Sequence, residues 1–309
     1  RDFRRETFQP DELAQTFLQL VRAKVVEGIF LSSGVAGGGI RTQDRLLATA
    51  EVLRHKLGFK GYLHLKLMPG LERDQVQQAM LLADRVSINL EAPTDARLAK
   101  LAPMKVFIQE LLQPLRWVEE IRRSQSAEKA WNGRWPSSVT QFVVGGAAET
   151  DLELLQTTSW LNQNVRLSRA YFSGFNPVPD TPLENLPRTN PWREHRLYQA
   201  SFLLRDYGFS FEELAFNPQG NLSLETDPKL SWAQNNLSHA PVEVNRADYQ
   251  QLLRVPGIGP IRARAILAAR RQGHLRTLKD LKALGIATGR AAPFILLDGQ
   301  RMASQPRLF

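Results

Sequence analysis

The sequence predicts an α/β domain followed by a small all-α module, and three observations carry that prediction. Short apolar strand patterns alternate with helical patterns between residues 10 and 172. Two short apolar helical segments joined by a tight Gly- and Pro-rich turn occupy residues 244–267. The net charge of +9 is confined to the last fifth of the chain.

The alternation is read element by element. Pro10-Asp11-Glu12 opens an amphipathic helix carrying Leu13, Phe17, Leu20 and Val21, with its acids near the N-terminus as the helix dipole favours. The run Gly28-Ile29-Phe30-Leu31 reads as a strand closed by Ser32-Ser33-Gly34, and a helix follows from about Thr42 to Leu57. Residues 61–67 are a strand ended by Pro69-Gly70, 72–83 a helix, 85–90 a strand, and Thr94 caps a short helix through Leu101. A longer helix spans 105–129, a strand 139–144, a helix runs from Glu149, and 165–172 is a fifth strand. Strands joined by helical crossovers predict a parallel sheet, either open and doubly wound or part of a (β/α) barrel. In both, ligands gather at the C-terminal strand ends. The segments to inspect are 32–39, 66–70, 91–94, 145–149 and 173–180. Residues 173–192 are too proline-rich for regular structure, 193–207 form a helix, and 208–245 read as a mixed connector. No internal repeat is apparent. The predicted division is 1–192, 193–242 and 243–309.

Residues 246–309 hold 12 Lys and Arg against 3 Asp and Glu, while the preceding residues hold 28 of each. Segregation of this kind is the footprint of a polyanion-binding module. No run is long and apolar enough for a membrane span, so no membrane partner is expected. Arg1-Asp2-Phe3-Arg4-Arg5-Glu6 has no apolar signal region. The absence of cysteine excludes disulfides, thiolate metal sites and Cys nucleophiles within the chain, and a cytoplasmic location is the default expectation.

The strongest motif is Pro256-Gly257-Ile258-Gly259-Pro260 between two apolar helical segments. Asn245 is read as the N-cap of the first and Pro260 as the first turn of the second. Residues 243–286 resemble the helix-hairpin-helix family. The resemblance implies that Gly257, Ile258 and Gly259 present backbone N–H groups to a phosphate, with Arg262, Arg264, Arg270 and Arg271 adding contacts. Such contacts position nucleic acid without reading its bases. DNA is expected over RNA. The same hairpin occurs in base-excision glycosylases, but Asp280 lies at a helix start, where capping accounts for it.

Four segments end predicted strands: Leu31-Ser32-Ser33-Gly34-Val35, His64 to Gly70, Ser87 to Thr94, and Gln141 to Asp151. With Arg196-Leu197-Tyr198-Gln199-Ala200 and Asp227-Pro228-Lys229-Leu230, they resemble radical S-adenosylmethionine (SAM) enzymes of the DNA modification and repair group, which join that barrel to a C-terminal helix-hairpin-helix. The resemblance implies a partial TIM-like (β/α) barrel of the radical SAM type. It implies SAM held by Ser33, Gly34, Lys66, Glu91, Val144, Gly146 and Glu149, with Phe142 where the family motif has glycine. An ammonium and a carboxylate at Lys66 and Glu91 suit the zwitterionic end of a bound amino acid. The resemblance further implies a [4Fe–4S] cluster on three cysteines and a partner repair enzyme.

The chain has no cysteine to hold such a cluster. An N-terminal truncation removing the first strand and the cluster loop is the expected reason, and an opened barrel is expected to lose stability. Two other readings remain. One is a non-catalytic DNA-binding adaptor. The other is a barrel hydrolase or lyase using Lys66, Glu91 and Glu149 as acid and base groups. No catalytic residue of the radical reaction is assigned.

Overall fold

The computed structural model describes residues 7–35 and 37–302. The N-terminal hexapeptide, residue 36 of the first strand-end loop and residues 303–309 lie outside the described residues. The chain divides into two compact units, one of residues 1–149 and 160–188, the other of 150–159 and 189–309.

In the first unit the elements alternate as α1 (Pro10–Arg22), β1 (Gly28–Leu31), α2 (Gly39–Glu51), β2 (Tyr62–Lys66), α3 (Arg73–Leu82), β3 (Arg85–Ser87), α4 (Asp95–Leu101), α5 (Gln113–Ser124), β4 (Ser137–Val144), α6 (Asp151–Asn164) and β5 (Arg169–Gly174). Residues 150–159, the first part of α6, group with the second unit. Two predicted long helices are broken by wide turns: α2 runs on through a π-helical segment at Val52–Lys56, and another at Phe107–Leu112 precedes α5. Such turns are inserted within otherwise α-helical runs, and hydrophobic spacing does not reveal them.

All five strands are parallel and lie in chain order, β1-β2-β3-β4-β5. This order differs from that of a doubly wound sheet, which reverses direction about its first strand. Every crossover here steps the same way. The helices accordingly pack in series, α1 on α2, α2 on α3 and α3 on α5.

Alternation sorts the strand residues onto two faces. Leu63 and Leu65, Val86, Phe142 and Val144, and Phe172 are buried on one face, with Phe142 stacked on Phe172 at 6.1 Å. The registers place Phe30, His64, Arg85 and Tyr171 on the other. His64 stacks on Phe30 at 4.3 Å and bonds Ser87 at 2.8 Å, and Arg85 donates to Ser137 at 3.0 Å.

At the N-terminal strand ends a buried Arg54 holds the unit together. It donates to the carbonyls of Leu82, Phe59 and Gly61 and to Asp84 at 2.8–2.9 Å, and lies 3.7 Å over the Trp131 ring. Asp84 also accepts from Leu63 N–H, Trp131 and Asn132. At the opposite ends the loops after β1 and β2 touch. A Cβ on Gly39 would fall 1.8 Å from the Pro69 carbonyl oxygen, and Gln43 accepts from Met68 N–H.

The second unit contains α7 (Pro191–Asp206), α8 (Pro228–Asn236), β6 (Val242–Glu243), α9 (Tyr249–Arg254), α10 (Pro260–Ala269), α11 (Leu278–Ala283), α12 (Thr288–Ala291), β7 (Ile295–Leu297) and β8 (Gln300–Arg301). The stretch read as a connector belongs to this unit: Ala233 and Leu237 share one apolar core with Leu252, Leu253, Ile258, Ala263, Ile266 and Leu281. A three-stranded clip, β6 parallel to β7 and β7 antiparallel to β8, adds strands that the all-α expectation lacks. Asp298 and Gly299, both at positive φ, form the two-residue turn between β7 and β8, as Asp-Gly favours.

Candidate nucleic-acid interface

The first helix of the hairpin starts later than the sequence suggests. Its N-cap is Asp248, which accepts from Gln251 N–H while Gln251 reaches back to Asp248 N–H. Asn245 instead links segments, bonding the Leu275 backbone in both directions and the Asp298 carboxylate. Leu252 and Leu253 anchor α9, and Pro256 follows directly on its C-cap, Val255, beyond which it cannot continue a helix.

The turn needs glycine for two different reasons. Gly257 sits at φ +85, and a Cβ there would lie 2.8 Å from the Ala287 carbonyl oxygen. Gly259 has ordinary extended backbone, but a Cβ there would meet the Tyr207 hydroxyl at 3.1 Å. Ile258 between them is fully buried and pins the turn to the core. Helix α10 then begins at Pro260 with no side chain capping it. The first amides of a helix have no intrahelical partner, and those after Pro260 lie at the positive end of the helix dipole. Ile261 is 71% exposed, and Arg262 and Arg264 are exposed on the following turn.

Lys229, only 9% exposed, supports the turn by donating its ammonium to the Ile258 carbonyl at 2.5 Å, 4.7 Å from the Tyr207 ring centre. Burial, with Arg290 and Arg254 nearby, pushes its pKa down to about 7 against the opposing pull of Asp227. In the sequence Lys229 falls in a family segment with no role attached to it. Its position one residue after an Asp-Pro helix start is the available signal.

Not all the arginines of the module are alike. Arg270 is half-buried and donates one guanidinium nitrogen to the carbonyls of Val244 and Ala247 at 3.1 and 2.6 Å, which braces the entry to α9. Arg271 is exposed. Asp280 caps α11 by accepting from the amides of Arg276 and Thr277, which holds its pKa below the usual carboxylate range and accounts for it without catalysis.

The structure reveals a repeat that is not apparent in the sequence. Gly257-Ile258-Gly259-Pro260-Ile261-Arg262-Ala263 is followed 28 residues on, 257 to 285, by Gly285-Ile286-Ala287-Thr288-Gly289-Arg290-Ala291. Each segment joins two helices, α9 to α10 and α11 to α12, and each opens on a glycine at positive φ. The contacts are reciprocal. Gly257 faces Ala287 and the Cβ of Arg290, and Gly285 faces the guanidinium of Arg262. The copies differ in their arginines, for Arg290 is ion-paired with Asp227, the N-cap of α8.

In the first unit, Ser33 and Gly34 line a hollow of about 460 Å³ with Thr42 and Arg45, and Lys66 and Glu91 are not among its lining residues. Glu91, at φ +64, is held there by backbone bonds to Gln141 and Val143, and its carboxylate pairs with Lys105 at 3.1 Å. Lys66 is half-buried, and burial brings its pKa down to about 8. The Glu149 carboxylate accepts from the amides of Gly145 and Ala147 and so shapes its own loop. Gly146 permits close packing, since a Cβ there would lie 2.6 Å from Leu101 and 2.9 Å from Phe175. The Val144 side chain is fully buried on the apolar face. Among the described residues no group of three or more His, Cys, Asp or Glu is placed to hold a metal ion, and no helix is long and apolar enough to cross a membrane.

The sequence pattern of a known family, described as a helix-hairpin-helix motif, matches residues 238–285. No curated protein matches the chain. The motif suggests DNA binding.

Proposed function

We propose that the chain binds the sugar-phosphate backbone of DNA through the hairpin between α9 and α10. The observation that carries this reading is the uncapped start of α10, directly after Gly257-Ile258-Gly259, with exposed Arg262 and Arg264 on the next turn. Amides without an intrahelical partner and a helix dipole favour an anion, and guanidinium groups add charge-assisted bonds. Contacts of this kind hold a register on the nucleic acid and leave its sequence unread. The test is fluorescence anisotropy with labelled DNA over a range of salt concentrations. Affinity that falls linearly on a log–log plot supports backbone contact. Affinity indifferent to salt sinks it.

We infer, from the family resemblance, that the sheet unit is a catalytic half that takes SAM at its C-terminal strand ends. What favours this second reading is the consecutive parallel order, which puts Ser33, Lys66, Glu91 and Gly146 at the same end of neighbouring strands. The residues of this chain do not fit a [4Fe–4S] cluster, since none is a thiolate, and no radical step is assigned to them. Equilibrium dialysis of the chain with SAM tests the SAM half of the reading, and Lys66→Met is expected to weaken retention. If SAM is not retained by the parent chain, the adaptor reading takes its place.

A further inference from the structure

Beside the hairpin the second unit carries a cleft of about 530 Å³ lined by Phe202, Asp206, Tyr207, Tyr249, Pro260 and Arg264. Its size falls in the roughly 300–1,000 Å³ range of small-ligand sites. Three of its six walls are aromatic. The cleft adjoins the turn directly: Tyr207 stands against Gly259, and Pro260 and Arg264 belong to α10 itself. Phe202 and Tyr207 also wall a smaller hollow of about 160 Å³ that contains Lys229.

We propose that this cleft receives an unpaired nucleobase of a single strand whose backbone is held by the hairpin. The proposal rests on the backbone-binding reading above. Its occupant follows from the chemistry of the walls. Aromatic rings offer stacking faces to any base. Arg264 is a cation at the rim where the strand's phosphates run, and the Asp206 carboxylate, paired through both oxygens with Arg205, keeps lone pairs that can accept hydrogen bonds from a base's exocyclic amino group. In a duplex every base face is covered by its neighbours, so paired DNA cannot fill the cleft. The module therefore distinguishes strand state.

The full 309-residue chain is titrated by anisotropy with three labelled probes of about 12 nucleotides. They are a mixed-sequence single strand, an abasic deoxyribose-phosphate strand of the same length, and the duplex. The single strand is expected to bind about tenfold more tightly than the abasic strand. Tyr249→Leu is expected to remove most of that advantage while leaving abasic and duplex affinities unchanged, and Tyr249→Phe to keep it. Phe202→Leu gives a second, independent lesion of the same wall. Equal affinity for single and abasic strands overturns the cleft proposal and leaves backbone binding standing. So does a Tyr249→Leu variant that weakens all three probes alike. Failure of all three probes to bind the parent chain overturns the backbone reading, and the cleft proposal with it.

Discussion

The ammonium of Lys229 donates to the carbonyl oxygen of Ile258, so a buried cation is fastened to the turn of the first hairpin. The groups around it are the Tyr207 ring, Asp227, Arg254 and Arg290. Its folded pKa of about 7 lies below the ordinary lysine value of 10.5. Between those values the unfolded chain binds more protons than the folded one, so folding stability from this group rises with pH across that window. The urea midpoint of the parent chain is expected to climb from neutral pH toward the lysine value more steeply than that of Lys229→Met. Parallel curves for the two proteins would remove Lys229 from the account.

Gly257 and Gly285 both have positive φ, but their neighbours differ in stiffness. A methyl at 285 meets the end of the flexible Arg262 side chain, whereas one at 257 meets the Ala287 backbone. Gly285→Ala is expected to cost about 1–2 kcal/mol for its backbone conformation. Gly257→Ala should cost more, because backbone has to shift as well. Thermal melting of the two variants orders them, and equal losses would contradict the packing described.

Arg54 is a buried guanidinium whose donors reach three carbonyls and Asp84. Replacing it by leucine leaves Asp84 without its buried cation. The expected loss is about 3–5 kcal/mol, as for other broken buried pairs. Denaturant unfolding followed by tryptophan fluorescence reads it. DNA affinity at low denaturant should stay unchanged, since Arg54 and its partners belong to the first unit and the hairpin to the second.

Arg262 and Arg264 are exposed, whereas Arg270 is engaged by Val244 and Ala247. Arg262→Gln and Arg264→Gln are each expected to reduce the salt slope of DNA binding by about 1. Arg270→Gln should leave the slope intact and lower the melting temperature. The reverse pattern would mean that Arg270 faces the phosphate after all.

What the sequence discloses depends on how local each cause is. The β2 alternation of Leu63 and Leu65 with His64 and Lys66, the proline-rich stretch before α7, and the Gly257-Ile258-Gly259 turn are set within a few residues, and all are readable. Strand order is not, because composition cannot tell a sheet that keeps stepping one way from one that reverses. Asn245 reads as a cap in the sequence, yet Asp248, three residues later, takes that role with Gln251 as its partner. The second hairpin escapes notice because Ala287, Thr288 and Gly289 replace Gly259, Pro260 and Ile261, leaving only Gly-Ile and Arg-Ala as a faint echo. The roles of Lys229 and Tyr207 depend on approach across 29 and 52 residues to Ile258 and Gly259, which no local pattern encodes.

The doubled hairpin has a consequence for how the module could change hands. Its two arginines occupy equivalent places, yet a single carboxylate keeps one of them, Arg290, out of service. Asparagine at 227 would still cap α8 through Leu230 N–H while releasing Arg290 to solvent. For Asp227→Asn, the salt slope of DNA binding is expected to steepen by about 1. An unchanged slope would show that Arg290 lies out of reach of the strand even when freed. One atom substitution thus separates a one-handed grip from a two-handed one, and Asp227 is where that choice is made.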